Sequence, residues 1–267
     1  MSIRELKWNG SEKHFVDELE VVQVNNVTVG RFGGNSSAGQ YKNEDGCLVW
    51  TNEKENWEFA MLLDGHKTAK SVELVIEQFD RMKKDITDLL AQSARSTLKK
   101  MDRLILDIFE EPSFMEACRK TTGETACLIV IRKEKYLWWF SIGDCILHLF
   151  HPELIALGER QLVQRSFYEW VGEVNTFELP VPCYSTGKKE LRQGLNRIFI
   201  TTDGLTECPG VPFEDPASIE ETLTEVGIEV GVEKLLTAIK ENNVRDSTTI
   251  IAWSIEIEET ASIPSDL

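Results

Sequence analysis

The stretch "ACLIVIRKEKYLWWFSIGDCILHLF" (126–150) holds three apolar runs with hardly a gap between them. They are "ACLIVI" (126–131), "KYLWWFSI" (135–142) and "CILHLF" (145–150). Each has the length of a buried strand and falls short of a helix. The connectors, "RKE" and Gly143-Asp144, are too short for a parallel crossover, so neighbouring runs are expected to pair as antiparallel hairpins. In "YLWWF" the apolar residues are consecutive rather than alternating, which requires cover on both faces of that strand. "RIFITT" (197–202) and "TTIIAWSIEI" (248–257) have the same character. Strands covered on both faces need a second sheet on one side and helices on the other.

The flanking sequence supplies both. The first sixty residues read as strands: "ELEVVQVNNVTVGRF" with an Asn-Asn turn, then "CLVW" (47–50) and "WEFAMLL" (57–63). From Gly65 to Pro112 there is no Gly or Pro. Val72, Val75, Phe79, Met82, Ile86 and Leu89 recur there at helical spacing, and Ala94, Leu98, Met101, Ile105 and Ile108 continue the stripe. That span is too long for one helix of a compact domain, so two helices with an unmarked break are expected. Later, Asp215-Pro216 reads as an N-cap followed by a first-turn proline, with Ile219, Leu223 and Val226 on one face and Gly227 as the stop. Val232, Leu235, Leu236 and Ile239 form the next stripe, ending at Asn242-Asn243. Grouped helices and antiparallel strands predict an α+β fold, two stacked antiparallel sheets flanked by helices, in one domain over 1–267. The end, "EIEETASIPSDL" (256–267), reads as a strand finishing in a loose terminus.

The charge balance is acidic, 45 Asp and Glu against 29 Lys and Arg for a net charge of -16. Such a surface repels phosphate backbones and anionic lipid, which disfavours nucleic-acid and membrane partners and favours cations. Six scattered cysteines, with no CxxC, do not form a disulfide framework; Cys47, Cys127 and Cys145 sit inside apolar runs as reduced, buried residues would. No apolar h-region opens the chain and no stretch has the length of a membrane span, so a cytoplasmic protein is expected.

Several of the apolar strands finish on a carboxylate. "FAMLL" runs into Asp64-Gly65-His66, "IFITT" into Asp203-Gly204, and "SIG" into Asp144. Glu44 and Asp45 precede "CLVW", and Asp246 precedes the last strand. Taken singly, each is a turn residue, and Asp144 fits a Gly-Asp hairpin. Together they suggest an all-oxygen site for two hard cations about 4 Å apart, the arrangement that activates water against a phosphoryl group. Mg²⁺ or Mn²⁺ suits such ligands, whereas zinc would want His or Cys. His148 and His151 in "HLFH" have ligand-like spacing, but a strand points their rings to opposite faces, which makes the pair structural.

The motifs "NEDG", "LLDGH", "GETACLIVI", "SIGDCIL", "TTDGLTE" and "RDSTTIIAW" occur in the order found in metal-dependent PP2C-type (PPM family) serine/threonine protein phosphatases, which the chain resembles from about residue 36 to 256. "TDGLTE" is closest to bacterial members, including the SpoIIE and RsbU-like branch, whereas "DGH" is closer to the eukaryotic form. The resemblance implies a four-layer α-β-β-α sandwich, two Mg²⁺ or Mn²⁺ ions and a phosphorylated protein as partner. It makes Asp64 the bridging metal ligand, with the Gly65 carbonyl on one metal and Asp203 and Asp246 on the other. Glu44 and Asp45 would hold metal-bound waters. Some members carry a third metal, for which Asp144, Asp203 and Glu207 are the matching positions here, Glu207 replacing the usual Asp. His66 matches the histidine that protonates the leaving alkoxide, a role suited to a group titrating near neutral pH.

Three departures accompany the match. Gln40 stands where the family has its phosphate-binding Arg, so charge is missing, with Lys42 nearby and Arg31 further off. "DGHGG" has become "DGHKT", and Asp246 is followed by Ser247 rather than Asn. The leading expectation is a Mg/Mn-dependent phosphatase acting on phosphoserine or phosphothreonine in proteins. The alternative from another class is a pseudophosphatase, a binding module on the same fold. A small phosphoester substrate is the third reading.

Overall fold

Strand pairing sorts the chain into two antiparallel sheets in a computed structural model that describes residues 3–262. The first sheet runs in the order β1 (Arg4–Asn9), β4 (Gly46–Asn52), β5 (Trp57–His66), β6 (Glu124–Lys133), β7 (Tyr136–Ile142), β10 (Ser185–Glu190), with the short β9 (Val171–Gly172) on the end of β6. The second runs β2 (Leu19–Val24), β3 (Val27–Phe32), β12 (Thr248–Ile257), β11 (Gly194–Thr201), β8 (Ile146–Phe150). Helices α1 (Lys70–Arg81), α2 (Lys83–Leu90), α3 (Ala94–Phe109) and α4 (Pro112–Cys118) follow β5; the short α5 (Pro152–Ala156) follows β8. Helices α6 (Pro216–Val226) and α7 (Ile228–Glu241) separate β11 from β12.

Alternation along the strands builds three apolar layers. On β5, Phe59, Met61 and Leu63 pack with Val72, Phe79, Met101 and Ile105 of the first helices. Ala60 and Leu62 face the other way and join Leu128, Ile198, Ile200, Ile251 and Trp253 between the sheets. Phe199, Ile250 and Ala252 pack outward with Leu223, Val232, Leu235 and Leu236 of α6 and α7. The order is therefore helix, sheet, sheet, helix, as expected. Trp50, Trp57, Trp138 and Trp253 are fully buried, each such side chain contributing about 1.5–3 kcal/mol or more on removal from water.

Two expectations need correction. Gly143-Asp144 is not a hairpin: Ile142 pairs with Cys127 in the first sheet, while Ile146 pairs with Thr201 in the second. The connector carries the chain across the sandwich, and Gly143 makes the bend at φ +89, where a Cβ would lie 2.6 Å from that of Ala126. The long helical stripe is three helices rather than two, and α4 begins just beyond it at Pro112. Met82 leaves helical geometry, Ser93 caps α3 by accepting from Ser96 N, and Glu111 caps α4 ahead of Pro112. The other signals hold: Val24 pairs with Val27 across the Asn25-Asn26 turn, Asp215 accepts from Ala217 N at 2.9 Å, and Gly227 ends α6 at φ +84.

The two histidines of "HLFH" separate as the strand period requires. His151 caps α5 through Nδ1, while the buried ring of His148 stacks on Phe150 at 5.5 Å on the α6/α7 side of its sheet. Burial pushes the His148 imidazole down to about 4. The unfolded chain therefore takes up this proton first, so stability is full above pH ~6.5 and declines as pH falls toward 4. His148→Phe, flanked by Phe150 and Phe199, is expected to remove that slope. Denaturation from pH 7 to 4 should show the wild type losing about 3 kcal/mol more than the variant; parallel curves would refute it.

Candidate active site

The strand-end carboxylates gather because the strands of both sheets finish at one edge of the sandwich. β5 delivers Asp64, paired to Ala126 of β6. β11 ends in Thr202 and Asp203, and Thr202 N donates to Thr249 O at 3.1 Å, so Asp203 lies beside the start of β12. A Cβ at Gly204 would stand 2.2 Å from Ser247 O, which fixes how tightly the Asp203-Gly204 turn is pressed on the Asp246-Ser247 segment. Gly65 is pressed likewise on Glu44 O, 2.4 Å from where its Cβ would be. Asp45 is buried and accepts from Thr249 Oγ1 at 2.7 Å and Thr202 Oγ1 at 3.3 Å. The sheet-to-sheet connector adds Asp144.

Burial and mutual repulsion make this cluster electrostatically costly. Burial first, then Asp45, Asp203, Asp246 and Asp144, pushes the Asp64 carboxyl well above the usual range. Burial, opposed by the Thr249 hydrogen bond and reinforced by Asp246 and Asp203, pushes Asp45 up to about 8. Asp203 is pushed up to about 7 by burial and by Asp246, Asp144 and Glu207, with Arg165 opposing. Asp246 is raised by burial, against the Ser247 backbone hydrogen bond and the nearby His66. Asp64 Oδ2 and Asp144 Oδ1 are buried with no hydrogen-bond partner. Paired buried charges are tolerable and unpaired ones are not, so these oxygens fit divalent cations with an all-oxygen shell. Among the described residues, no three Asp, Glu, His or Cys side chains close into a cradle as they stand. Part of the set is turned toward cations of the chain instead.

Those cations are Arg165 and Lys42. Arg165 Nη2 stands 2.6 Å from Glu207, 3.1 Å from Asp203 and 3.7 Å from Asp144, in the space the resemblance gives to a third metal. Lys42 Nζ donates to Glu44 Oε1 and to Lys67 O, both at 2.7 Å. Gln40 makes no hydrogen bond to the carboxylates; its Oε1 accepts from Tyr41 N at 3.3 Å. Arg31 is buried in β3, paired with Glu20 and packed over Trp8 and Phe15.

His66 ends β5 with its ring edge-on to Trp170, centroids 4.4 Å apart and planes at 90°, and its Nε2 has no hydrogen-bond partner. The loss of glycine in "DGHKT" is absorbed locally. Lys67 takes the left-handed conformation, φ +68, and its ammonium reaches Glu124 and Glu173 at 3.3 and 3.4 Å. Arg165 and Trp170 could not be found from the sequence. They lie in a segment with little regular structure, and only the aromatic cluster "RSFYEW" (165–170) marks it.

No family model and no curated protein matches the chain. Solved structures do. A bacterial serine phosphatase aligns at TM-score 0.59 and 15% identity, covering 97% of this chain and 100% of that one. The catalytic domain of the serine/threonine protein phosphatase PstP, solved with two manganese ions, aligns at TM-score 0.54 and 15% identity, covering 96% and 98%. RsbX, solved with magnesium, aligns at TM-score 0.55 and 14% identity, covering 89% and 100%. In architecture, and over nearly its whole length, the chain has the fold of the bacterial PP2C-type serine/threonine phosphatases.

Proposed function

We propose that the chain, 1–267 acting as one domain, is a Mg²⁺- or Mn²⁺-dependent phosphatase that removes phosphate from phosphoserine or phosphothreonine in proteins. The observation that carries this reading is the buried cluster of Asp45, Asp64, Asp203 and Asp246, whose charges no cation of the chain fully answers. Asp64 would bridge two cations, the Gly65 carbonyl and Asp203 with Asp246 would complete their protein ligands, and Glu44 and Asp45 would act through water. Bound there, the cations supply Lewis acidity and an activated water for attack on phosphorus. Two threonine hydroxyls donating to Asp45 Oδ2 would orient its carboxyl for that role. His66 holds the proton destined for the leaving oxygen, with Trp170 fixing its ring. The cysteines are all free, and among the described residues no helix is long and apolar enough to cross a membrane, which is compatible with a cytoplasmic signalling role.

Charge for the substrate phosphate would come from Lys42, which reaches the rim that Gln40 does not. Lys42→Met is expected to raise KM for a phosphoserine peptide about tenfold with little change in kcat, and Gln40→Arg to lower it. Equal KM values across wild type and variants would remove both from phosphate binding. Arg165 already neutralises the third carboxylate group, so calorimetric titration should count two Mn²⁺ per wild-type chain and a third in Arg165→Ala.

The uncharged Gln40 favours the second reading, a pseudophosphatase that binds a partner without turnover. Phosphate release from a phosphoserine peptide with Mn²⁺, run beside a metal-binding titration, separates the two. Turnover supports the enzyme, and metal binding with no release supports the module.

A further inference from the structure

Beside the carboxylate cluster, β8, the 161–165 segment and the loop after β11 enclose a cavity of about 600 Å³. Ile146 and Val211 give it apolar wall, Arg165 and Glu207 form the side it shares with the carboxylate cluster, and Glu214 is exposed on its rim. The imidazole of His148 also lines it, 1% exposed. Both ring nitrogens of His148 lack a hydrogen-bond partner; the Arg160 carbonyl lies near without hydrogen-bonding geometry. An orphaned buried polar group of this kind carries a desolvation penalty until something pairs with it. At neutral pH this imidazole is uncharged, so it offers a lone pair and does not repel a cation. The charge of Arg165 is already committed to three carboxylates. What remains open at the rim is negative, on a protein of net charge -16.

Resting on the phosphatase reading above, we propose that this cavity takes a lysine or arginine side chain flanking the phosphorylated residue of a protein substrate. The hydrocarbon stem would lie along Ile146 and Val211, with the cationic head between Glu207, Glu214 and the His148 lone pair. Because Arg165 and Glu207 belong both to the cavity and to the carboxylate cluster, a phosphoryl group at the cluster brings its neighbouring residues over the opening. The site therefore selects phosphoproteins by a basic neighbour.

The test walks a single lysine through the positions on either side of phosphoserine in an otherwise uncharged peptide, using the Mn²⁺-loaded protein. Wild type should prefer lysine at one or two positions by about fivefold to tenfold in kcat/KM. Glu214→Lys and His148→Phe should bring that preference within about twofold, leaving p-nitrophenyl phosphate hydrolysis unchanged. Glu214 is exposed, so its variant does not threaten the fold. No preferred position in wild type, or a preference that survives both variants, overturns the assignment. If p-nitrophenyl phosphate is not hydrolysed at all, the phosphatase reading fails. The cavity is then judged by fluorescence anisotropy of the same labelled peptides: lysine-dependent affinity lost in Glu214→Lys sustains it, and equal affinities overturn it. Thermal stabilisation by spermidine that needs Glu214, without any lysine preference among the peptides, would assign the cavity to a free amine and overturn the peptide assignment.

Discussion

Asp64→Asn is expected to abolish metal-dependent hydrolysis, by about a thousandfold or more, while making the metal-free protein more stable. The two effects have one cause. Asp64 is buried, Asp45, Asp203, Asp246 and Asp144 all act to keep it protonated, and one of its oxygens has no partner. An amide of the same shape is neutral folded and unfolded, so the variant is spared the proton uptake that burying Asp64 demands at neutral pH, which relieves the folded state. The same change deletes the ligand proposed to bridge two cations, and two-metal chemistry fails with it. In wild type, Mn²⁺ at about a hundred times its Kd should add roughly 2.7 kcal/mol, several degrees in Tm, and Asp64→Asn should lose that increment. Thermal melts with and without Mn²⁺, beside phosphate release, check both halves. A variant less stable than wild type in chelator, and still stabilised by Mn²⁺, would show that Asp64 is a structural residue.

His66→Gln should separate substrates by their leaving groups. If the imidazole hands a proton to the departing oxygen, its loss matters where that oxygen is a poor leaving group. Hydrolysis of a phosphoserine peptide should fall by about 10²–10⁴ in kcat, while p-nitrophenyl phosphate, whose leaving group departs without a proton, should change less than about threefold. Trp170→Ala should reproduce the pattern at smaller amplitude, because the indole meets the His66 ring edge-on at 4.4 Å. Trp170→Phe, which keeps an aromatic edge, should restore most of it. Equal losses on both substrates would place His66 in binding or structure instead.

The layers of the fold were legible because they rest on burial: consecutive apolar residues in β7 and β12 demanded cover on both faces, and the α1 to α3 stripe demanded a helical layer. The Gly143-Asp144 connector reads as a hairpin because a short link looks alike whether the chain folds back or crosses to the facing sheet, and only the pairing of Ile146 with Thr201 tells them apart. The helix breaks were hidden because Met82 is an ordinary helix former, and Ser93 marks its cap without Gly or Pro. The candidate carboxylates were legible because strands advertise their ends. Arg165 and Trp170 were not, since their positions depend on how an irregular segment drapes over the site. Lys67 shows the same limit: its left-handed backbone is a tertiary outcome that nothing in "DGHKT" announces.

The central claim is that the carboxylate cluster holds divalent cations for phosphoryl hydrolysis. Its most direct test is the rate of p-nitrophenyl phosphate hydrolysis by the purified protein, with Mn²⁺ or with chelator, beside Asp203→Asn. The account predicts turnover that needs Mn²⁺ and disappears in the variant. Turnover that persists in chelator or in Asp203→Asn would contradict it, as would a wild type no faster than the variant with any divalent metal.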